Sequence, residues 1–464
     1  MSTVARLVPV ITFTVALSAV APPPAASADK PPAIDNTLLP PAATPKPPEP
    51  TERDAECAVF TFDPHLNAST QLASINLPAL WALSTGEGQK VAVIDTGVSA
   101  HPQLPRLIAG GDYVFTGDDG REDCDGHGTA VAGIVAATPD PGADVKFAGI
   151  APAASIIAIR QSSEYYRPFA RKASGMGDVD TMAMAVRRAA DLGATVINIS
   201  TVACNAGAGL RDRALGAAVA YAVDVKDAVV IVAAGNVGPG GRCPQQNPPP
   251  NPAHPNEPDW ESAVVAVSPG WYDDYVLTVG SVTVDGSVSS FSLAGPWVDV
   301  AAPGEAVVSL NRGHSGLANT RRGTDGFPIM GTSYAAPVVS GLAALVRARF
   351  PDLSARQVMQ RIKTTAHHPP GGWNPFVGNG IVDLSAALSD RPPTPTTVSP
   401  SASQHPTAPS SPPPPPQTTG RATAFTGIAG CAALLAAALA LMAPVNRLAR
   451  RRTPRVGGHP VVND

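Results

Sequence analysis

An aspartate, a histidine, an asparagine and a serine stand far apart along the chain, each framed by small residues. Asp95 lies in Val93-Ile94-Asp95-Thr96-Gly97-Val98, His127 in Asp125-Gly126-His127-Gly128-Thr129, Asn236 in Ala233-Ala234-Gly235-Asn236, and Ser333 in Gly331-Thr332-Ser333-Tyr334-Ala335-Ala336-Pro337. Brought together, they would supply a nucleophilic hydroxyl, a base to take its proton, a carboxylate to orient that base and an amide to bind a developing oxyanion. Those are the parts for acyl transfer. Each segment alone has a plainer use: Asp95 could cap a turn, His127 could be a surface or metal-binding histidine, and Ser333 could be a helix N-cap. Apart from Cys124, no second His or Cys stands beside His127 at metal spacing, so no metal is expected. The small residues and early proline around Ser333 favour a serine presented at a packed helix start. The glycines beside His127 are expected to leave room for substrate backbone.

The intervening segments predict the frame that holds these residues. Residues 90–95, 155–159, 194–199 and 228–232 are short apolar, β-branched runs and read as buried strands, while 178–192, 210–225 and 338–350 carry helical patterns. Such alternation predicts an α/β fold with a mainly parallel sheet and helices on both faces. Ligands of these sheets sit beyond the carboxyl ends of the strands, and Asp95, Ser200 and the Gly235-Asn236 pair all fall there.

A chain of 464 residues, 44% hydrophobic and 15% charged, can bury one large core. Its net charge of -4 leaves no basic footprint, so nucleic acid is not an expected partner. Arg6, the apolar run 7–20 and Ala26-Ser27-Ala28 predict a signal peptide over 1–28. A Pro-rich extension follows (29–80), then a catalytic domain (81–390) and a Pro/Ser/Thr-rich linker (391–422). Residues 423–445 are almost wholly apolar, about the length that crosses a bilayer, and the arginines of the tail 446–464 follow them. The positive-inside rule keeps that tail cytoplasmic, so the expected location is the cell membrane, single-pass, with the catalytic domain extracytoplasmic.

The chain order Asp95, His127, Ser333, with these flanking residues and with Ala301-Ala302-Pro303-Gly304 and Val279-Gly280-Ser281, resembles the subtilisin-like serine proteases, or subtilases, over about Thr85 to Leu388. The resemblance implies Ser333 as nucleophile, His127 as general base and then acid, Asp95 as its orienting residue, and Asn236 with the Ser333 N–H as oxyanion hole, and it implies no cofactor. The signal peptide, Pro-rich extension, Cys-bearing insertions, Pro-rich linker and single C-terminal span are similar to those of a narrower group, the mycosins, the membrane-anchored subtilases of type VII secretion systems. That resemblance implies cleavage of exported proteins, the secretion membrane complex as partner, and a second, structural role in that complex independent of proteolysis.

Two features depart from the usual subtilase pattern. Where many subtilases continue with Leu-Gly-Gly after the strand ending at Ser200, this chain has Thr201-Val202-Ala203-Cys204. Ser200, Thr201 and Val202 are taken as substrate-binding, and the branched side chains are expected to narrow the primary pocket toward small residues. The acidic residues Asp118, Asp119, Glu122, Asp123 and Asp125 match no EF-hand spacing and are expected to form a solvated rim. Four cysteines precede the predicted span, and sequence alone leaves three pairings open. Cys57 with Cys124 and Cys204 with Cys243 is the expected arrangement, stapling the extension beside His127 and the loop after Ser200 to the insertion after Asn236. A short, proline-rich extension is also expected to stay on the catalytic domain rather than act as a removable inhibitor.

Overall fold

Valine, isoleucine and alanine dominate the strands on both faces because both faces are covered. In the computed structural model, seven parallel strands form the central sheet: β1 (Lys90–Asp95), β2 (Leu107–Asp112), β3 (Ser155–Arg160), β4 (Val196–Ile199), β5 (Val229–Ala233), β6 (Leu277–Val282) and β7 (Val300–Pro303). Their order across the sheet is β7-β6-β5-β4-β1-β3-β2. Every residue of β4, β5 and β6 is buried, as a sheet sandwiched between helix layers requires. The described residues are 30–390, except 67–69, 144, 171–174, 207–209, 240 and 323–326. The expected signal peptide, linker, membrane helix and basic tail lie outside them. Among the described residues no helix is long and apolar enough to cross a membrane.

From β1 the chain first builds outward to β2 and β3 on one side, then crosses back to lay β4 to β7 on the other. Strand order therefore reverses around β1, and the crevice at such a reversal is where open α/β sheets bind ligands. Asp95 closes β1 at that point, in register with Arg160 of β3. Helices α1 (His127–Ala136) and α4 (Thr332–Arg349) pack against each other, with α4 lying across β4 to β7; α2 (Val179–Asp191) and α3 (Arg213–Ala220) pair on the remaining face. Asp178 begins α2 with a capping box shared with Thr181.

The segment before β1 is bound along the domain. Thr51–Arg53 pairs antiparallel with Tyr166–Pro168, and Phe60–Thr61 with Thr320–Arg321. Upstream, Arg213 meets Asp35 at 3.1 Å and Arg187 donates to the Pro40 carbonyl at 3.1 Å. Leu72 and Leu80 are buried in the main core, and Trp81 Nε1 donates to the Ile150 carbonyl at 3.0 Å. Disulfides join Cys57 to Cys124 and Cys204 to Cys243.

Candidate active site

Asp95 is wholly buried at the end of β1, and its Oδ1 accepts hydrogen bonds from the Thr96 N–H (2.8 Å) and from His127 Nδ1 (2.7 Å). A carboxylate only accepts, so Nδ1 carries the imidazole proton and Nε2 is left as an acceptor. Nε2 stands 2.9 Å from Ser333 Oγ. Burial by itself pushes the imidazole down. The Asp95 carboxylate, through its charge and its hydrogen bond, with Asp123 and Asp125 behind it, holds it above its ordinary value instead. One edge of His127 remains open to solvent, and the ring of Tyr334 lies against it with centroids 4.9 Å apart.

Helix α1 starts at His127 itself, with Gly126 in the left-handed conformation (φ 77°) before it. The glycines on either side of His127 accommodate protein rather than substrate. A Cβ on Gly128 would stand 2.0 Å from the Gly97 carbonyl oxygen, and one on Gly126 would stand 2.4 Å from the Phe60 ring. Gly128 thus lets the helix start press against the Asp95 turn, and Gly126 seats the N-terminal extension.

Ser333 occupies the first turn of α4, where backbone N–H groups have no partner within the helix. Four residues on, Pro337 lacks the N–H that would bond the Ser333 carbonyl. The hydroxyl of Ser200 donates to that carbonyl instead at 2.8 Å, and Asn198 Nδ2 donates to Ser200 Oγ at 2.9 Å. Ser340 completes the buried chain through Asn198 Oδ1 at 2.8 Å. Gln71, from the segment before β1, donates to the Tyr334 carbonyl at 2.7 Å.

Asn236 follows β5 and is oriented by the residue before Ser333. Its Oδ1 accepts from both the N–H and the hydroxyl of Thr332, each at 3.0 Å, and the Thr332 hydroxyl accepts from the Gly235 N–H at 3.1 Å. With Oδ1 so engaged, Nδ2 is left as the amide's donor, and it and Ser333 Oγ both border Gly331, where a Cβ would lie 3.5 Å from Asn236 Nδ2 and 2.9 Å from Ser333 Oγ. The array can pass a proton from Ser333 to His127 while presenting two N–H donors, Asn236 Nδ2 and the Ser333 amide, to one oxygen.

The other expected site residues are placed as follows. Ser200 is buried, its hydroxyl engaged with Ser333 rather than directed into an open pocket. Thr201 and Val202 are half-buried, Val202 packing on the main core. Beyond them Ala203–Ala206 pairs antiparallel with Val265–Ser268, and Cys204 is tied to Cys243. The Cys243 N–H in turn donates to the Asn236 carbonyl at 3.0 Å.

The acidic run is the expected solvated rim only in part: Asp118, Asp119 and Glu122 reach solvent, whereas Asp123 and Asp125 do not. Asp119 pairs with Arg121 on the surface and Asp118 with the buried Arg160, but Asp123 and Asp125 are buried. Asp125 accepts from the Ser163 hydroxyl and the Glu164 N–H, while Asp123 accepts four hydrogen bonds. Sequence reading therefore gave no role to Thr96, Thr332 and Gln71, and it took Asp123 for part of the rim. Thr96 and Thr332 carried a signal, each adjoining a residue already singled out, whereas Gln71 carried none.

The Subtilase family profile matches residues 86–380. Mycosin-4 of Mycobacterium tuberculosis is 54% identical over 447 residues, 94% of each chain. Among solved structures, MycP1 from the ESX-1 type VII secretion system aligns with a TM-score of 0.72 at 41% identity, covering 78% of this chain and 96% of that one. A chain of an intact ESX-5 inner membrane complex aligns with a TM-score of 0.73 at 41% identity, covering 90% and 99%. Matching the family profile over most of its core and a mycosin over nearly its whole length, this chain belongs to the subtilase family of serine proteases and, within it, to the mycosins.

Proposed function

We propose that this protein is a membrane-anchored serine endopeptidase of a type VII secretion system that cleaves exported proteins outside the cytoplasm. The observation that carries the reading is the continuous array from Asp95 through His127 to Ser333 Oγ, with contacts of 2.7 and 2.9 Å, beside an Asn236 amide held by Thr332. In this reading Ser333 Oγ attacks the scissile carbonyl as its proton passes to His127 Nε2. Asn236 Nδ2 and the Ser333 N–H receive the oxyanion, and the imidazolium, steadied by Asp95, protonates the departing amine. Water then releases the acyl group by the same proton route in reverse. Thr201 and Val202 narrow the primary pocket, favouring small residues before the cleaved bond.

The signal peptide (1–28), the linker (391–422), the apolar span (423–445) and the arginine-rich tail (446–464) support export followed by retention in the membrane. Likeness to a chain of an ESX-5 inner membrane complex supports the secretion complex as partner and favours a second reading, in which the protein also serves that complex structurally. Ser333→Ala separates the two. Purified variant should lose peptide cleavage while keeping its fold, because nucleophile and base act as a unit; comparable turnover would overturn the triad. Secretion restored by Ser333→Ala in a deletion strain would show that the structural role suffices.

A further inference from the structure

We infer that Asp123 is a positioning residue for this chemistry, its carboxylate locking the turn that carries Asp95 to the helix start that carries His127. The inference rests on reading Asp95, His127 and Ser333 as the triad. Asp123 has no exposed surface. Its Oδ1 accepts from Thr96 Oγ1 (2.9 Å) and the Gly126 N–H (2.7 Å), and its Oδ2 from the Thr129 N–H (2.8 Å) and Thr129 Oγ1 (2.6 Å). Two donors on each oxygen fill the acceptor positions of a carboxylate.

The donors come from the two sides that must be held together. Thr96 is the residue after Asp95; it donates its N–H to Asp95 Oδ1 at 2.8 Å, and its hydroxyl accepts from the Gly128 N–H at 3.0 Å. Gly126 and Thr129 flank His127 at the start of α1, where Gly126 has no side chain to cap the helix. Asp123 takes over that capping, and its charge also suits a helix N-terminus. Thr129 Oγ1 accepts in turn from the Ser99 N–H at 2.9 Å, adding a second tie to the Asp95 turn. An amide in place of the carboxylate would turn an NH2 group toward two donors.

The loop bearing Asp123 is braced from outside. Cys124 is bonded to Cys57, the Ala58 N–H donates to the Cys124 carbonyl at 2.9 Å, and Arg312 bridges the Ala58 carbonyl (2.7 Å) and the Asp123 carbonyl (3.4 Å). The N-terminal extension thereby buttresses the position of His127. The ionisable groups around Asp123 are Asp125 on its own loop, Asp95 at the end of β1, His127 on α1, Tyr334 on α4 and Arg312. Burial pushes the Asp123 carboxyl up to about 6 despite its hydrogen bonds, and its charge helps hold His127 above the ordinary imidazole value.

The test compares Asp123→Asn, Thr96→Val, Thr96→Ser and Ser333→Ala in the full-length chain, following kcat, KM and the pH profile of kcat/KM on a small-residue peptide. Asp123→Asn should lower kcat by about tenfold or more with little change in KM, as misplaced catalytic groups do. Its acidic limb should also move to lower pH, because His127 loses a nearby negative charge that favours its protonated form. Thr96→Val should lower kcat, and Thr96→Ser should restore it. A kcat within about twofold of wild type for Asp123→Asn or Thr96→Val, or an unmoved limb in Asp123→Asn, overturns the inference. If Asp123→Asn loses its near-ultraviolet dichroism, the Thr96 pair decides alone, and equal kcat for Val and Ser overturns it. Activity in Ser333→Ala would instead overturn the triad.

Discussion

The hydroxyl of Ser200 donates to the main-chain carbonyl of Ser333 at 2.8 Å, replacing the helical N–H that Pro337 cannot provide. A proline one turn into a helix usually wastes an acceptor. Here the freed carbonyl belongs to the residue that carries the proposed nucleophile, and a strand-end serine takes it up. Ser200→Ala should leave that buried carbonyl unpaired, lowering stability by about 1–3 kcal/mol and reducing kcat more than it raises KM. Urea denaturation and steady-state kinetics test this, and a variant matching wild type in both would show that the contact carries no weight.

Asn236→Ala removes the donor that Thr332 orients. A loss of about 10²–10³ in kcat with KM nearly unchanged is expected, since the amide matters when charge develops on the carbonyl oxygen. An effect confined to KM would place Asn236 outside the oxyanion site.

The segment preceding β1 should stay on the active enzyme. Protein beginning near Asp29 is expected to hydrolyse a small-residue peptide with the extension intact, because strand pairing at Thr51–Arg53 and Phe60–Thr61 and the Cys57–Cys124 bond hold it in place. Cys57→Ser with Cys124→Ser should cost about 2–4 kcal/mol and expose the extension to limited proteolysis. Activity that appears only after the segment is removed, with inhibition when it is added back, would make it a conventional propeptide.

Stability should fall as pH rises from about 5 to 8. Burial pushes Asp123 up to about 6, and burial with repulsion from Asp299 pushes Asp273 up to about 7, from an ordinary 3.8. Between the unfolded and folded values the native state binds protons that the unfolded chain has released. That contribution is complete below about 3.8 and is lost as pH rises through 6 and 7. His127, also raised, acts in the same direction above 6.5. Melting of the Ser333→Ala protein across this range, free of self-digestion, provides the measurement, and a transition temperature that climbs toward pH 8 would contradict it.

What could be read from residues alone was local. An acid ending a β-branched run, a histidine between glycines, an amide after a strand and a serine at the start of a proline-bearing helix each declare themselves within about ten residues. Alternating strand and helix patterns suffice for a parallel sheet because periodicity reflects which faces are buried. Partners distant along the chain are another matter. Ser200 meets Ser333 across 133 positions and Gln71 meets Tyr334 across 263, contacts that exist only once the crossovers have stacked the strands. The same holds for the acidic run, which in sequence is merely charged. Folding carries Asp123 into the junction between β1 and α1, where four donors converge on it and its surface neighbours Asp119 and Arg121 simply pair with each other. Composition sets how many charges a loop carries, but whether a given carboxylate faces water or donors depends on which backbone N–H groups the tertiary fold leaves without partners beside it.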